Sequence, residues 1–217
     1  MTDTYRHRGL RRALATALRG RGIADERVLA AIAAVPRHLF FDPGFEAHAY
    51  QDKAFPIGEG QTISQPYTVA YQTALLGLHP TQRVLEVGTG SGYQCAVLLQ
   101  LTPLVHSIEV NPVLYERTRQ RLAALGLGRP ALHCGDGSLG LPAAAPYDAI
   151  LVTAGAPALP PALLRQLAVG GRLVIPVGTA AEQRMVRVTR ESPESYLREE
   201  LETFRFVPLR GAGGWRA

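Results

Sequence analysis

Lysine is almost missing from this chain of 217 residues: Lys53 is the only one, and arginine supplies the rest of a basic total of 23. Cysteine is scarce too. Cys95 and Cys134 are the only two, which makes neither a disulfide framework nor a thiolate metal site, and both are expected as small buried side chains. The six histidines show no ligand spacing, so no metal is implied. No apolar run approaches the roughly 20 residues that a bilayer span requires, which excludes a membrane-spanning helix. The first residues are polar and basic with no apolar block behind them, so no secretory signal is expected and a cytoplasmic location is the default expectation. Repeats and interdomain linkers are also missing, and the length suits one domain with a full core.

The formal net charge is +5, and part of the excess lies in Arg6, Arg8, Arg11, Arg12, Arg19 and Arg21. A basic cluster of this kind reads as a nucleic-acid patch or as the solvated face of an amphipathic helix. No aromatic side chains interleave with these arginines, as a base-stacking surface requires. Leu10, Leu14 and Leu18 recur at helical spacing among them. The solvated face is the expectation, with no nucleic-acid partner.

The chain is organised around residues 84–93, Val-Leu-Glu-Val-Gly-Thr-Gly-Ser-Gly-Tyr. Val84, Leu85 and Val87 form the short apolar run of a buried parallel strand. Gly88, Gly90 and Gly92 follow at alternate positions, and an apolar helical segment, 95–101, comes next. Strand, glycine turn and helix begin a nucleotide-binding βαβ unit. The third glycine comes two residues after the second instead of three, and an acid, Glu86, stands two residues before the first. This pattern resembles the cofactor loop of S-adenosylmethionine-dependent methyltransferases with a Rossmann-like fold, which implies cofactor contacts from Glu86, Gly88, Gly90, Ser91 and Gly92.

Around that unit the spacing predicts a helix over residues 6–20 and a second one capped by Asp25 and stopped by Pro36. Residues 36–60 show no periodicity and read as a binding loop. A helix is expected from Pro66 through Val69, Thr73 and Leu76. Ser64, two residues before Pro66, reads on spacing as its N-cap. Residues 104–109 form the next strand, and Glu109 at its end lies at the distance expected for an acid that meets ribose hydroxyls. Asn111-Pro112 opens a helix with Leu114, Thr118, Leu122 and Leu125 on one face. The strand 131–134 leads to Asp136 and Gly137, where the acid can accept from an adenine amino group or simply shape a turn. The strand 147–153 ends in Ala154, Gly155 and Ala156, small residues that leave room for a substrate or merely crowd around a turn. Pro160-Pro161 opens a short helix reaching Leu167, Gly170-Gly171 turns the chain, and strands follow at 172–177, 184–189 and 204–209. Residues 211–217 read as a frayed tail.

Several blocks together are more specific. Pro36-Arg37-His38-Leu39-Phe40, Tyr50-Gln51-Asp52, Pro56-Ile57-Gly58, Gly60-Gln61-Thr62-Ile63-Ser64-Gln65-Pro66 and the block from Gly135 to Gly140 resemble the protein-L-isoaspartate O-methyltransferase family, over about residues 23–209. Val169 departs from the proline that family members commonly carry there. The resemblance implies an α/β, Rossmann-like, doubly wound and mostly parallel sheet, with antiparallel C-terminal strands. An added N-terminal helical segment would occupy residues 1–80, before a core at 81–210 and a tail at 211–217. It implies S-adenosyl-L-methionine as cofactor, held by Thr62, Ile63, Ser64, Glu86, Gly88, Gly90, Ser91, Gly92, Glu109, Asp136 and Gly137. Ser64 becomes the catalytic residue, and Asp52, Ala154, Gly155 and Ala156 fall on the substrate side. The implied partner is a damaged protein carrying an isoaspartyl residue, met by a monomer. A carboxylate acceptor of pKa about 3.5 is already ionised at neutral pH, so alignment and partial desolvation suffice and no base is required. The alternatives are methyl transfer to a small-molecule acid, a nucleotide-dependent oxidoreductase, which the glycine spacing disfavours, and a nucleic-acid-binding protein.

Overall fold

Thr4 starts the first helix through a reciprocal cap: its hydroxyl accepts the His7 N–H, and the His7 ring accepts the Thr4 N–H. A computed structural model describes residues 2–215. Helix α1 (Tyr5–Gly20) lays Leu14, Ala15 and Leu18 against Val28, Leu29 and Ile32 of α2 (Glu26–Ala34), which Asp25 caps. Leu10 does not join this seam and stays exposed; Arg11 is buried in its neighbourhood instead. That exchange is tolerated because the Arg11 guanidinium is fully engaged, by both Asp3 oxygens and by the Ala33 carbonyl.

Residues 36–60 are more regular than their sequence suggests. Two 3-10 turns, Arg37–Phe40 and Pro43–His48, lead into a hairpin of β1 (Phe55–Gly58) and β2 (Gln61–Ile63). Helix α3 (Pro66–Leu76) follows, burying Val69, Thr73 and Leu76 as expected. Ser64 is not its cap. The N-cap is Gln65, whose side chain makes no capping bond, and the free Tyr67 N–H is taken at 2.7 Å by Asp52. The capping carboxylate thus comes from an earlier loop, where local spacing could not reveal it.

The remaining strands are β3 (Val84–Val87), β4 (Val105–Glu109), β5 (Ala131–Cys134), β6 (Tyr147–Val152), β7 (Leu167–Gly178), β8 (Gln183–Arg190) and β9 (Tyr196–Phe204). They build one sheet in the order β5-β4-β3-β6-β7-β8-β9. Pairing is parallel from β5 to β7 and antiparallel from β7 to β9, which bears out the expected fold class. Helices α4 (Tyr93–Leu99), α5 (Pro112–Leu125) and α6 (Pro161–Arg165) complete the α/β units. Both central strands read as apolar runs because each is covered on both faces: all of β3 and nearly all of β6 is buried.

Four expectations need correction. Helix α4 begins at Tyr93 and not at Cys95. Gly170-Gly171 does not turn the chain; it lies inside β7 as a bulge, since Tyr147 pairs with Leu167 while Ala149 pairs with Arg172. The last strand ends at Phe204, and residues 207–209 cross the strand ends instead, exchanging two 2.8 Å backbone bonds with Gly155. The tail is not frayed as far as Trp215. Its Ala212 N–H meets Asp136, its Gly213 N–H meets Ser138, and the Trp215 indole N–H meets the Gly155 carbonyl. Residues 216 and 217 lie outside the described residues. Cys95 is buried as expected, whereas Cys134 is exposed because it ends the edge strand β5.

Gly92 is a point where the fold has no room for a side chain. It precedes α4 with φ +86°, and a Cβ there would stand 2.7 Å from the Thr118 methyl on α5. Gly92→Ala is expected to cost about 1–3 kcal/mol through backbone strain and this clash. Urea unfolding midpoints measure it, and an unchanged midpoint would show that α5 yields freely.

Candidate active site

The sheet order reverses beside β3, where the chain leaves outward through β4 and β5 and resumes on the other side with β6. Loops leaving β3 and β6 therefore diverge and open a crevice at the carboxyl ends of the strands. A cavity of about 270 Å³ occupies it. The glycine loop, Glu109, Gly137 and Thr153 form its floor and sides. Hairpin residues 61–63 with Ser64 cover one flank, and residues 207–210 cover the other. The hairpin is tied to α5 by Arg117, which donates to the Ile57 carbonyl at 2.8 Å, and by Asn111, which donates to Glu59 at 3.2 Å.

Each part of the glycine loop answers to a neighbour. At Gly88, φ is +96°, and a Cβ would collide with the Thr153 hydroxyl. That hydroxyl instead donates to the Gly88 carbonyl at 2.6 Å. The Gly90 N–H donates to Glu109 Oε2 at 2.8 Å, and its carbonyl accepts from Thr118 at 2.6 Å. Glu109 Oε1 accepts the Asn111 N–H at 2.9 Å. Each Glu109 oxygen so keeps a lone pair toward the cavity, where two vicinal hydroxyls can donate.

Of the residues assigned from the sequence to the cofactor, Thr62, Ile63, Ser64, Gly88, Gly90, Ser91, Glu109 and Gly137 line the cavity. Glu86, Gly92 and Asp136 do not. Glu86 is fully buried beneath the loop, accepting from Ser107, with one carboxylate oxygen unpartnered among the described residues. Gly92 is turned to α5. Asp136 is committed to protein: one oxygen accepts the Ser138 N–H and hydroxyl, the other the Ala212 N–H at 2.7 Å. On the expected substrate side, Ala154 lines the cavity, while Gly155 and Ala156 use their backbone groups on residues 207–209 and on β7. Asp52 caps α3 and pairs with Arg21.

A second cavity lies on the far side of Ser64, lined by Arg21, Tyr67, Glu202, Phe204 and Arg205 among others. Ser64, Thr62, Thr153 and Val207 belong to both cavities and form the boundary between them. The Tyr67 hydroxyl donates to Glu202 at 3.1 Å, and the Arg21 guanidinium lies 3.9 Å over the Tyr67 ring. Burial, reinforced by the Glu202 carboxylate, pushes the Tyr67 phenol up to about 12. Ser64 is fixed from below: fully buried Arg37 donates to its carbonyl at 2.9 Å and to the Ala49 carbonyl at 2.8 Å. Sequence reading missed Thr153, Tyr93 and residues 207–210 as parts of the site. Only Thr153 carried a signal, as the residue after the apolar run of β6 at its carboxyl end.

A strand–glycine loop–helix unit, an acid at the next strand end and a lidded crevice at the reversal of strand order define a nucleoside-cofactor-binding α/β fold of the methyltransferase type. The family model described as protein-L-isoaspartate(D-aspartate) O-methyltransferase matches residues 10–213. A protein-L-isoaspartate O-methyltransferase of Cytophaga hutchinsonii is 57% identical over 217 residues, covering 100% of this chain and 98% of its own length. Another from Christiangramia forsetii is 56% identical over 209 residues, covering 96% of this chain and 98% of its own. A solved protein-L-isoaspartate O-methyltransferase superposes with a TM-score of 0.83 at 29% identity, over 94% of this chain and 67% of its own. A Plasmodium falciparum structure in complex with S-adenosyl-L-homocysteine shares the fold, with a TM-score of 0.80 at 24% identity over 92% of this chain and 98% of its own. The chain belongs to the protein-L-isoaspartate(D-aspartate) O-methyltransferase family, and the activity of that family is carboxyl O-methylation of isoaspartyl protein.

Glu86 gives the site a measurable pH signature. Burial pushes its carboxyl up to about 8, against the opposing hydrogen bond from Ser107 and an unfolded value of 4.5. Between those two values the folded chain holds a proton that the unfolded chain releases. Stability from this group therefore falls as pH rises through that window and levels off above it. Glu86→Gln is expected to flatten the slope and to exceed the parent in stability at the alkaline end. Urea midpoints measured from about pH 5 to 9 check this, and parallel curves for the two proteins would show that Glu86 is ionised throughout.

Proposed function

We propose that the first cavity holds S-adenosyl-L-methionine, that the second receives the acceptor peptide, and that Ser64 orients the acceptor's free α-carboxylate at the boundary. The observation that carries this reading is the membership of Ser64 and Thr153 in both cavities. A methyl group in transit must cross such a boundary, because donor and acceptor approach along one line. The residues present suit the cofactor. The lone pairs left on Glu109 face outward for ribose hydroxyls, the glycine loop presents backbone without Cβ atoms, and Gly137 lies flat because a Cβ there would strike Val87 and Ile108. Adenine contacts then fall to Gly137 and its neighbours in place of the Asp136 carboxylate. When bound, this cofactor supplies a methyl group on a sulfonium cation.

The side chains of this chain have the remaining tasks. Arg37 fixes the Ser64 carbonyl, so the hydroxyl leaves the backbone from a fixed point. There it donates one hydrogen bond to the carboxylate and leaves the second oxygen free to attack. The hairpin and residues 207–210 exclude water from the boundary, which strengthens the attraction between the carboxylate and the cation. No proton is removed, and none needs a base. The methyl ester then closes to a succinimide without further help, as the neighbouring backbone amide nitrogen attacks the ester carbonyl, loses its proton and displaces methanol.

The same reading makes the chain a cytoplasmic monomer acting on damaged protein and not on nucleic acid. Its N-terminal arginines support the last point, since Arg11 is paired with Asp3, Arg19 with Glu26 and Arg21 with Asp52. Radiolabelled methyl transfer to matched isoaspartyl and aspartyl peptides tests the whole: label is expected in the isoaspartyl peptide alone. Label in neither peptide, with transfer to a small carboxylic acid, would overturn it. Ser64→Ala is expected to lower kcat about 10- to 100-fold with cofactor affinity unchanged; an unchanged kcat removes Ser64 from the role.

A further inference from the structure

Beside the first turn of α1 stands a side-chain cluster that methyl transfer does not use. Asp3, His7 and His38 each offer one donor atom, and the three atoms lie within 4.8 Å of one another. His38 is fully buried; its Nδ1 meets the Tyr50 hydroxyl at 2.6 Å, and its Nε2 has no hydrogen-bond partner among the described residues. A buried polar nitrogen without a partner costs free energy until something fills the place in front of it. His7 has the matching arrangement, with Nδ1 3.2 Å from the Thr4 hydroxyl and Nε2 3.9 Å from the Glu46 carboxylate. The two imidazoles stack, with centroids 3.8 Å apart and planes inclined by 28°.

We propose that Asp3, His7 and His38 form a binding site for a divalent transition-metal ion, Zn(II) by ligand preference; Glu46, 3.9 Å from His7 Nε2 and outside that cluster, would have to swing inward to become a fourth ligand. Two imidazoles with carboxylates are a donor set that zinc accepts in tetrahedral geometry. At a Zn–N distance of about 2.0–2.1 Å, two nitrogens on one tetrahedral ion stand roughly 3.3 Å apart, so donor atoms now within 4.8 Å must draw together and the two stacked rings must open to aim their in-plane lone pairs at one ion. The outer partners are already in place. The Tyr50 hydroxyl can accept the His38 Nδ1–H, which leaves the Nε2 lone pair of that ring for the ion. On His7, binding through Nε2 moves the ring proton to Nδ1, which exchanges the bond from the Thr4 N–H for one donated to Thr4 Oγ1. Arg11 grips both Asp3 oxygens, at 2.6 and 3.0 Å, and orients that carboxylate in the same manner. Asp3 and Glu46 offset the charge of the ion, while Arg8 and Arg11 oppose it. A bound ion would join α1 to the turn at His38, one residue from Arg37, which holds the Ser64 carbonyl.

The test uses the full chain without a polyhistidine tag, stripped of metal by a chelator and titrated with Zn(II) by calorimetry and with Co(II) by visible absorption. One equivalent of Zn(II) is expected, together with a Co(II) spectrum of tetrahedral type and a raised Tm in zinc. His7→Gln removes the imidazole but keeps a side chain suited to the capping box, so α1 should persist by circular dichroism. The variant is expected to lose at least tenfold in zinc affinity together with the zinc-dependent rise in Tm. Asp3→Asn is expected to weaken binding in the same direction. The site is overturned by absence of stoichiometric binding at about 10 μM Zn(II), or by affinities unchanged in both variants.

Discussion

A guanidinium without water around it holds this site in register. Arg37 is fully buried, donates to the carbonyls of Ala49 and Ser64, and lies 4.6 Å from the centre of the Tyr93 ring. Burying a cation is costly, and only charge-assisted hydrogen bonds with a facing aromatic ring offset the loss of hydration. Burial lowers its pKa to about 10, which still leaves it charged at neutral pH. The three groups it joins come from different parts of the chain: the loop before the hairpin, the turn into α3, and the first residue of α4. Tyr93 directly follows the glycine loop. Through this one side chain the N-terminal segment that carries Ser64 is fixed against the loop expected to hold the cofactor.

The glycine loop is shaped as much by protein as by ligand. Gly88 gives way to Thr153, and Gly92 to α5, while Gly90 spends its N–H on Glu109 and its carbonyl on Thr118. The alternate spacing of the glycines therefore records the closeness of β6 and α5 to the turn after β3. Beneath it, Glu86, Ser107 and Thr89 form a buried polar chain that braces the loop. An acid two residues before the first glycine looks like a cofactor ligand in sequence. In space it is a brace, which explains how it tolerates full burial.

Features that depend on near neighbours along the chain were legible in the sequence. The apolar runs of β3 and β6, the strand β4 with the acid at its end, the Asp25 and Asn111 caps and the buried face of α5 all stand as the spacing predicts. Features with distant partners were not. Ser64 looks like a cap because Ser before Pro usually is one; the cap is Asp52, brought in by a loop whose path no periodicity describes. Asp136 looks like a ligand for a base, but its carboxylate is filled by Ala212 from the far end of the chain. Gly170-Gly171 looks like a turn, yet the two glycines form a bulge that keeps β7 beside β6. In each case the residue type was informative and its partner lay too far along the chain to be inferred.

The antiparallel end of the sheet follows from the same need to reach the site. Strand β7 runs parallel to β3 and ends at the carboxyl edge, where the crevice lies. One further strand, antiparallel to it, would leave the chain at the opposite edge. Two strands, β8 and β9, bring it back. Residues 205–215 therefore emerge at the crevice, where Phe206 binds Gln183, Leu209 bonds to Gly155, and Trp215 reaches the Gly155 carbonyl. An even number of added antiparallel strands is what lets the end of the chain close a site that the first parallel strands create.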